Sequence, residues 1–145
     1  MVLVLIGLAS GLAGLALRQG DEARLEREGA RLVALLEAAR AESRASGVAV
    51  RFELRAPEQG AGADDPEGAA GHFRFVGLRP GYSLPSAWLD PSTSARIEGA
   101  NMLRLGPEPL IGAQRIVLSL GERQLVVATD GLMPFAPQAA AAQTP

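Results

Sequence analysis

The sequence contains no cysteine. That excludes disulfides and thiolate chemistry, and it suits an oxidising or a reducing compartment equally. Lysine is absent too. All 14 basic residues are Arg, set against 16 acids, for a formal net charge of −2. The arginines are scattered, so there is no broad electrostatic footprint for nucleic acid. Aromatic residues make up 4% of the chain, so any core must be aliphatic. There is one histidine, His72, and no G-x-S-x-G elbow or partner set for a triad. No proline occurs between Met1 and Ala56, and no charge occurs between Met1 and Leu17.

What is present starts with that uncharged run. Met1 to Leu17 holds only apolar residues, Gly and one Ser. A bilayer span takes about 20 such residues, so the run is a few short. A signal peptide would carry a basic n-region, but Met1 is followed directly by Val2. A buried helix of a soluble protein would need a core that a 145-residue chain can hardly wrap around it. The reading that fits best is a membrane helix whose first turn lies upstream of Met1. Gly7 and Gly11 form a small-xxx-small pair, which permits close helix packing in lipid but is common in membrane helices anyway.

Residues 18–46 continue with helical periodicity. Leu25, Gly29, Leu32, Val33, Leu36 and Ala39 share one face, and charges fill the rest. Arg24 with Glu28, and Glu37 with Arg40, are spaced to pair along the surface. Gly47 is a helix stop. One rod is predicted, with a hinge-like "RQGDE" between its apolar and amphipathic halves.

The period then becomes two. Val48, Val50, Phe52 and Leu54 alternate with Ala49, Arg51, Glu53 and Arg55, as in a half-buried strand. "APEQGAGADDPEGAAG" reads as a loop. Strands are predicted over His72–Leu78, near Ala95–Ile97 and Met102–Leu105, and in "RIVLSL" and "LVVAT". Asp130-Gly131 marks a hairpin turn, with "LMPF" as the closing strand and residues 136–145 as a disordered tail. The predicted class is α+β: a long helix, then an antiparallel head of about five to seven short strands over residues 47–135. Leu25, Leu32 and Leu36 are expected to pack helix against head.

Chemistry is sparse. His72 beside a strand reads as structural. Asp64, Asp65 and Glu67 lack the regular spacing of a Ca²⁺ loop. Asp130 is accounted for by its turn, and Trp88 reads as a core or contact residue. No catalytic residue, metal or cofactor is expected. The pattern points to a structural or assembly protein, not an enzyme.

Three stretches carry a family resemblance: "MVLVLIGLASGLAGLAL", "LEREGARLVALLEAARAESRASGVAVRFEL" and "RIVLSLGERQLVVATDGLMPF". They resemble the GspH/FimT family of type IV pilin-like proteins, specifically the minor pseudopilin H of type II secretion systems. The middle, residues 56–111, matches in layout only. The resemblance implies a single-pass inner-membrane protein with residues 1–17 in lipid and its head in the periplasm. It implies assembly with other pseudopilins and inner-membrane secretion components near the tip of a pseudopilus that moves folded exoproteins outward. No nucleic-acid partner is expected. Val4, Leu5, Leu8, Gly11, Leu12 and Leu15 are the expected helix-packing residues in membrane and filament. Family members begin with a basic leader, then Gly-Phe-Thr-Leu and a Glu. A prepilin peptidase cuts after the Gly and methylates the new N-terminus. That cleavage site is absent from this chain, so the coding start is expected upstream. Two alternatives remain: a FimT-type minor pilin with a DNA-uptake role, and a membrane-anchored periplasmic β domain.

Overall fold

The computed structural model describes the backbone of residues 2–55 and 72–138, and side chains from residue 19 onward within those limits. Helix α1 spans Val2–Ser46 without a break. At about 1.5 Å per residue it is about 68 Å long. The "RQGDE" segment therefore continues the helix and is not a hinge. The helix ends where Gly47 takes φ +70°, and its N–H bonds to the Ser43 carbonyl at 2.9 Å. That bond reaches back four residues, as a left-handed C-terminal cap requires. Among the described residues no helix is long and apolar enough to cross a membrane. The expected membrane span over residues 1–17 draws no support from this. Its side chains lie outside the described residues.

Seven strands follow: β1 Arg51–Leu54, β2 Phe73–Val76, β3 Ser94–Glu98, β4 Met102–Arg104, β5 Gln114–Leu120, β6 Arg123–Thr129 and β7 Ala136–Gln138. They form two antiparallel sheets, ordered β2-β1-β4 and β3-β5-β6-β7. Two expectations for the C-terminus need correction. "LMPF" is not the closing strand, and the segment from 136 does not begin as a disordered tail. Asp130 Oδ1 accepts from the N–H groups of Leu132 and Met133 at 2.9 and 2.8 Å. This side-chain-closed turn uses up the residues that a tight hairpin would have placed in a strand. The chain rejoins the sheet three residues later, with Ala136 opposite Ala128.

Helix α1 packs on the second sheet and runs alongside β6 in the same direction. Glu22 meets Arg123, Gly29 lies against Leu125 and Val127, and Arg40 meets the Gly131 carbonyl. From Glu22 to Arg40 the helix rises about 27 Å. From Arg123 to Gly131 an extended chain covers about 26 Å. The two rises match, so one helix face stays over one strand along the whole seam. Leu25, Leu32, Leu36 and Ala39 are buried there in a single core with Ile116, Leu118, Val127 and Phe135. Phe52, Phe73 and Trp88 belong to the same core with Phe75 packed against it, so the core is partly aromatic and not, as the low aromatic content implies, aliphatic throughout. Trp88 sits 4.6 Å from Phe73, centroid to centroid.

Candidate assembly surfaces

The helix stripe buries charge as well as leucine. Glu28 and Arg40 were expected on the surface, yet they are 2% and 1% exposed. Each sits one position from a stripe member, Gly29 or Ala39, and so turns partly inward. Glu28 does not pair with Arg24. Its Oε1 accepts from Arg31 at 3.1 Å and its Oε2 from the Leu89 N–H at 2.7 Å. Arg31 in turn donates to the Ala87 carbonyl at 2.9 Å. One acid and one base on the helix thus grip both sides of Trp88.

Arg40 does the same at the other end. Its guanidinium donates to the carbonyls of Met133, Pro109 and Gly131, each at 3.4 Å. Glu37 is 3.7 Å from it and accepts from the Phe135 N–H at 3.0 Å. The Glu37–Arg40 pair is real, but its Arg is buried and its Glu only partly exposed, and together they clamp two loops. A desolvated guanidinium needs such acceptors.

Two surfaces result. The first is a cleft of about 340 Å³ between α1 and the turn after Trp88, lined by Arg24, Arg27, Glu28, Leu89, Asp90 and Pro91. The second is the corner held by Arg40, where Leu110, Leu132 and Met133 are exposed beside Asp130. Backbone N–H groups of Met133 and then Leu132 hold the Asp130 carboxyl below the ordinary aspartate value.

His72 is half-buried, and its Nδ1 accepts from the Trp88 N–H at 3.1 Å. That bond ties β2 to the Trp88 turn. Among the described residues no group of three His, Asp or Glu side chains is gathered for a metal. Asp64, Asp65 and Glu67 lie outside the described residues. So do the side chains of Val4, Leu5, Leu8, Gly11, Leu12 and Leu15, whose helical backbone is all that is described. Sequence reasoning missed Glu28 and Arg40. Their phase next to the leucine stripe was the available signal.

One N-terminal helix laid on antiparallel sheets defines the pilin-like α+β class. The crystal structure of the type IV minor pilin FimU of Pseudomonas aeruginosa shares this fold, with a TM-score of 0.52. The match covers 85% of this chain and 92% of that one at 12% identity. No protein-family model matches the chain, and no curated protein sequence does.

Proposed function

We propose that the chain is a minor pseudopilin of a type II secretion system. It sits in the inner membrane with its head in the periplasm and assembles with other pseudopilins at or near the tip of the pseudopilus. It has a structural role and catalyses no reaction. The observation that carries this reading is the helix. Its C-terminal half is built into the head, while some 28 Å of its backbone continues N-terminal to Asp21, the first contact with the head among the described residues. In the sequence that continuing part is the apolar run. An apolar helix beyond its own head needs lipid or neighbouring helices as cover. The helix-to-strand passage through residues 25–54 supports the GspH/FimT family assignment, and the scattered arginines favour its H type over a DNA-binding FimT type. The likeness to FimU favours a second reading, a minor pilin of a type IV pilus.

One experiment separates the two. The gene is deleted and complemented, and both exoprotein release and pilus-dependent motility are scored. Folded exoproteins retained in the periplasm, with motility intact, support the pseudopilin. Lost motility with normal secretion supports the pilin. Neither defect removes both.

A further inference from the structure

Three neighbouring backbone groups in the Trp88 turn are each held by an ionisable side chain. Arg31 donates to the Ala87 carbonyl at 2.9 Å. His72 Nδ1 accepts from the Trp88 N–H at 3.1 Å, and Glu28 Oε2 accepts from the Leu89 N–H at 2.7 Å. No backbone bond among the described residues uses these three groups. The middle hold depends on protonation. An imidazole that accepts at Nδ1 is neutral and carries its proton on Nε2. The imidazolium has an N–H at both positions and no acceptor. Protonating His72 therefore sets a donor against the Trp88 N–H, in a residue only 7% exposed. An imidazole changes charge between about pH 5 and 8, a range over which the arginine hold is constant. The charged groups around the ring offer little to offset the loss. Helix α1 brings Glu28 and Arg31, which pair at 3.1 Å. Arg55 stands opposite His72, with its N–H on the His72 carbonyl at 2.9 Å. Two residues along, Glu53 pairs with Arg74 at 2.6 Å. In the turn itself, Asp90 is 3.6 Å from Arg24. Each of these described carboxylates already faces an arginine, so none of them is left over for an imidazolium.

We propose that His72 is an acid-released latch on the Trp88 turn: the turn is held while His72 is neutral and loosens once it is protonated, with the rest of the head still folded. The sign follows from the bond. The neutral ring favours the closed turn, so its contribution is present above the imidazole range and is lost as pH falls through it. The turn carries Leu89, Asp90 and Pro91, which form one wall of the cleft against Arg24, Arg27 and Glu28. It also seats Trp88 against Phe73. Protonation thus alters one of the two surfaces that the head presents and leaves the corner held by Arg40 as it is. The latch goes beyond the assembly reading and does not rest on it.

The chain has one histidine and one tryptophan, so each reports without overlap. The full chain in detergent micelles is followed by NMR from about pH 8 down to about pH 5, the range in which imidazole titrates. Protection of the Trp88 amide against hydrogen exchange is read after correction for the intrinsic pH dependence of exchange. It should fall by about five-fold or more, the worth of one net hydrogen bond. The fall should track the titration of the His72 ring resonances. The Leu105 amide, bonded to the Val50 carbonyl at 2.9 Å, should keep its protection. His72→Asn puts an amide oxygen near the place of Nδ1 and does not titrate, so its Trp88 amide should stay protected across the range. His72→Leu has no acceptor, and its Trp88 amide should be weakly protected throughout. Circular dichroism of each variant checks that it is folded. Four outcomes overturn the latch: a His72 ring still neutral at the acid end of the range, Trp88 protection that does not move as the ring protonates, an equal fall in folded His72→Asn, or a Leu105 amide that loses protection together with Trp88, which would make the change global unfolding.

Discussion

Replacing Arg40 by Met should unfold the head far more readily than a helix-surface change would. The side chain is 1% exposed and its guanidinium serves three loop carbonyls, all at 3.4 Å. Hydrogen bonds to a charged donor are worth about 1.5–3 kcal/mol each at good geometry. At 3.4 Å each is discounted to about 1 kcal/mol. Glu37 is about one-third exposed, so water covers most of its lost pairing. The sum is about 3 kcal/mol. With a urea m-value of about 2 kcal/mol per molar, the midpoint falls by about 1.5 M. Trp88 is the sole tryptophan and is buried, so its fluorescence follows the transition. Arg40→Lys should recover little, since an ammonium cannot fork to three carbonyls. Amide exchange at Ile111, whose N–H bonds to the Gly131 carbonyl at 3.5 Å, should speed up in both variants. Buried ions can be replaced by apolar groups at no cost. An Arg40→Met chain within about 1 kcal/mol of the parent would therefore refute the view that this cation ties the loops.

Three further outcomes are expected. Glu28→Ala leaves the Leu89 N–H and Arg31 without their acceptor and should cost about 3 kcal/mol, with a red shift of Trp88 emission because both flanks of that residue come loose. Gly131→Ala should cost about 2–3 kcal/mol, because φ is +98° and the new Cβ would sit 2.8 Å from Gly112 backbone atoms; chemical denaturation reads it directly. Asp130 has a lowered folded-state pKa, so its stabilising effect is present above the ordinary aspartate range and is lost as pH falls through the lowered value. An Asp130→Asn chain should therefore show a smaller drop in stability between neutral and strongly acid pH than the parent does.

Much of this architecture is legible in the residues. The 25-29-32-36-39 spacing places Leu25, Leu32 and Leu36 on one helix face, and those three are buried. The switch of period after Gly47 marks where helix gives way to sheet. Alternation identifies Ile116, Leu118 and Leu120 as core. It does not identify Val117, which is also buried, with Val126 and Ala128, on the opposite side of the sheet. Arg96 stands next to Val117 in register, and Gln138 stands next to Val126. Long polar side chains beside small apolar ones are invisible to a two-residue period. The clamps were harder still. Glu28 and Arg40 resemble any exposed helix charge until the loops they hold are known. Those loops are 61 and about 70–90 residues further along the chain. β7 was missed because "APQ" has no strand propensity of its own and is held by the neighbour it pairs with.

The seam between α1 and β6 also determines how the head answers a mechanical load. A pull on the N-terminal end of the helix acts along the seam. It loads Leu25, Leu32, Leu36 and the Glu28 and Arg40 clamps together, not one after another. A helix crossing its sheet at a steep angle would peel away contact by contact under the same force. Parallel alignment makes the joint fail in shear, at the rate of its unfolding barrier and not of its weakest bond. Tension entering through the long helix would thus reach both sheets while the head is still folded.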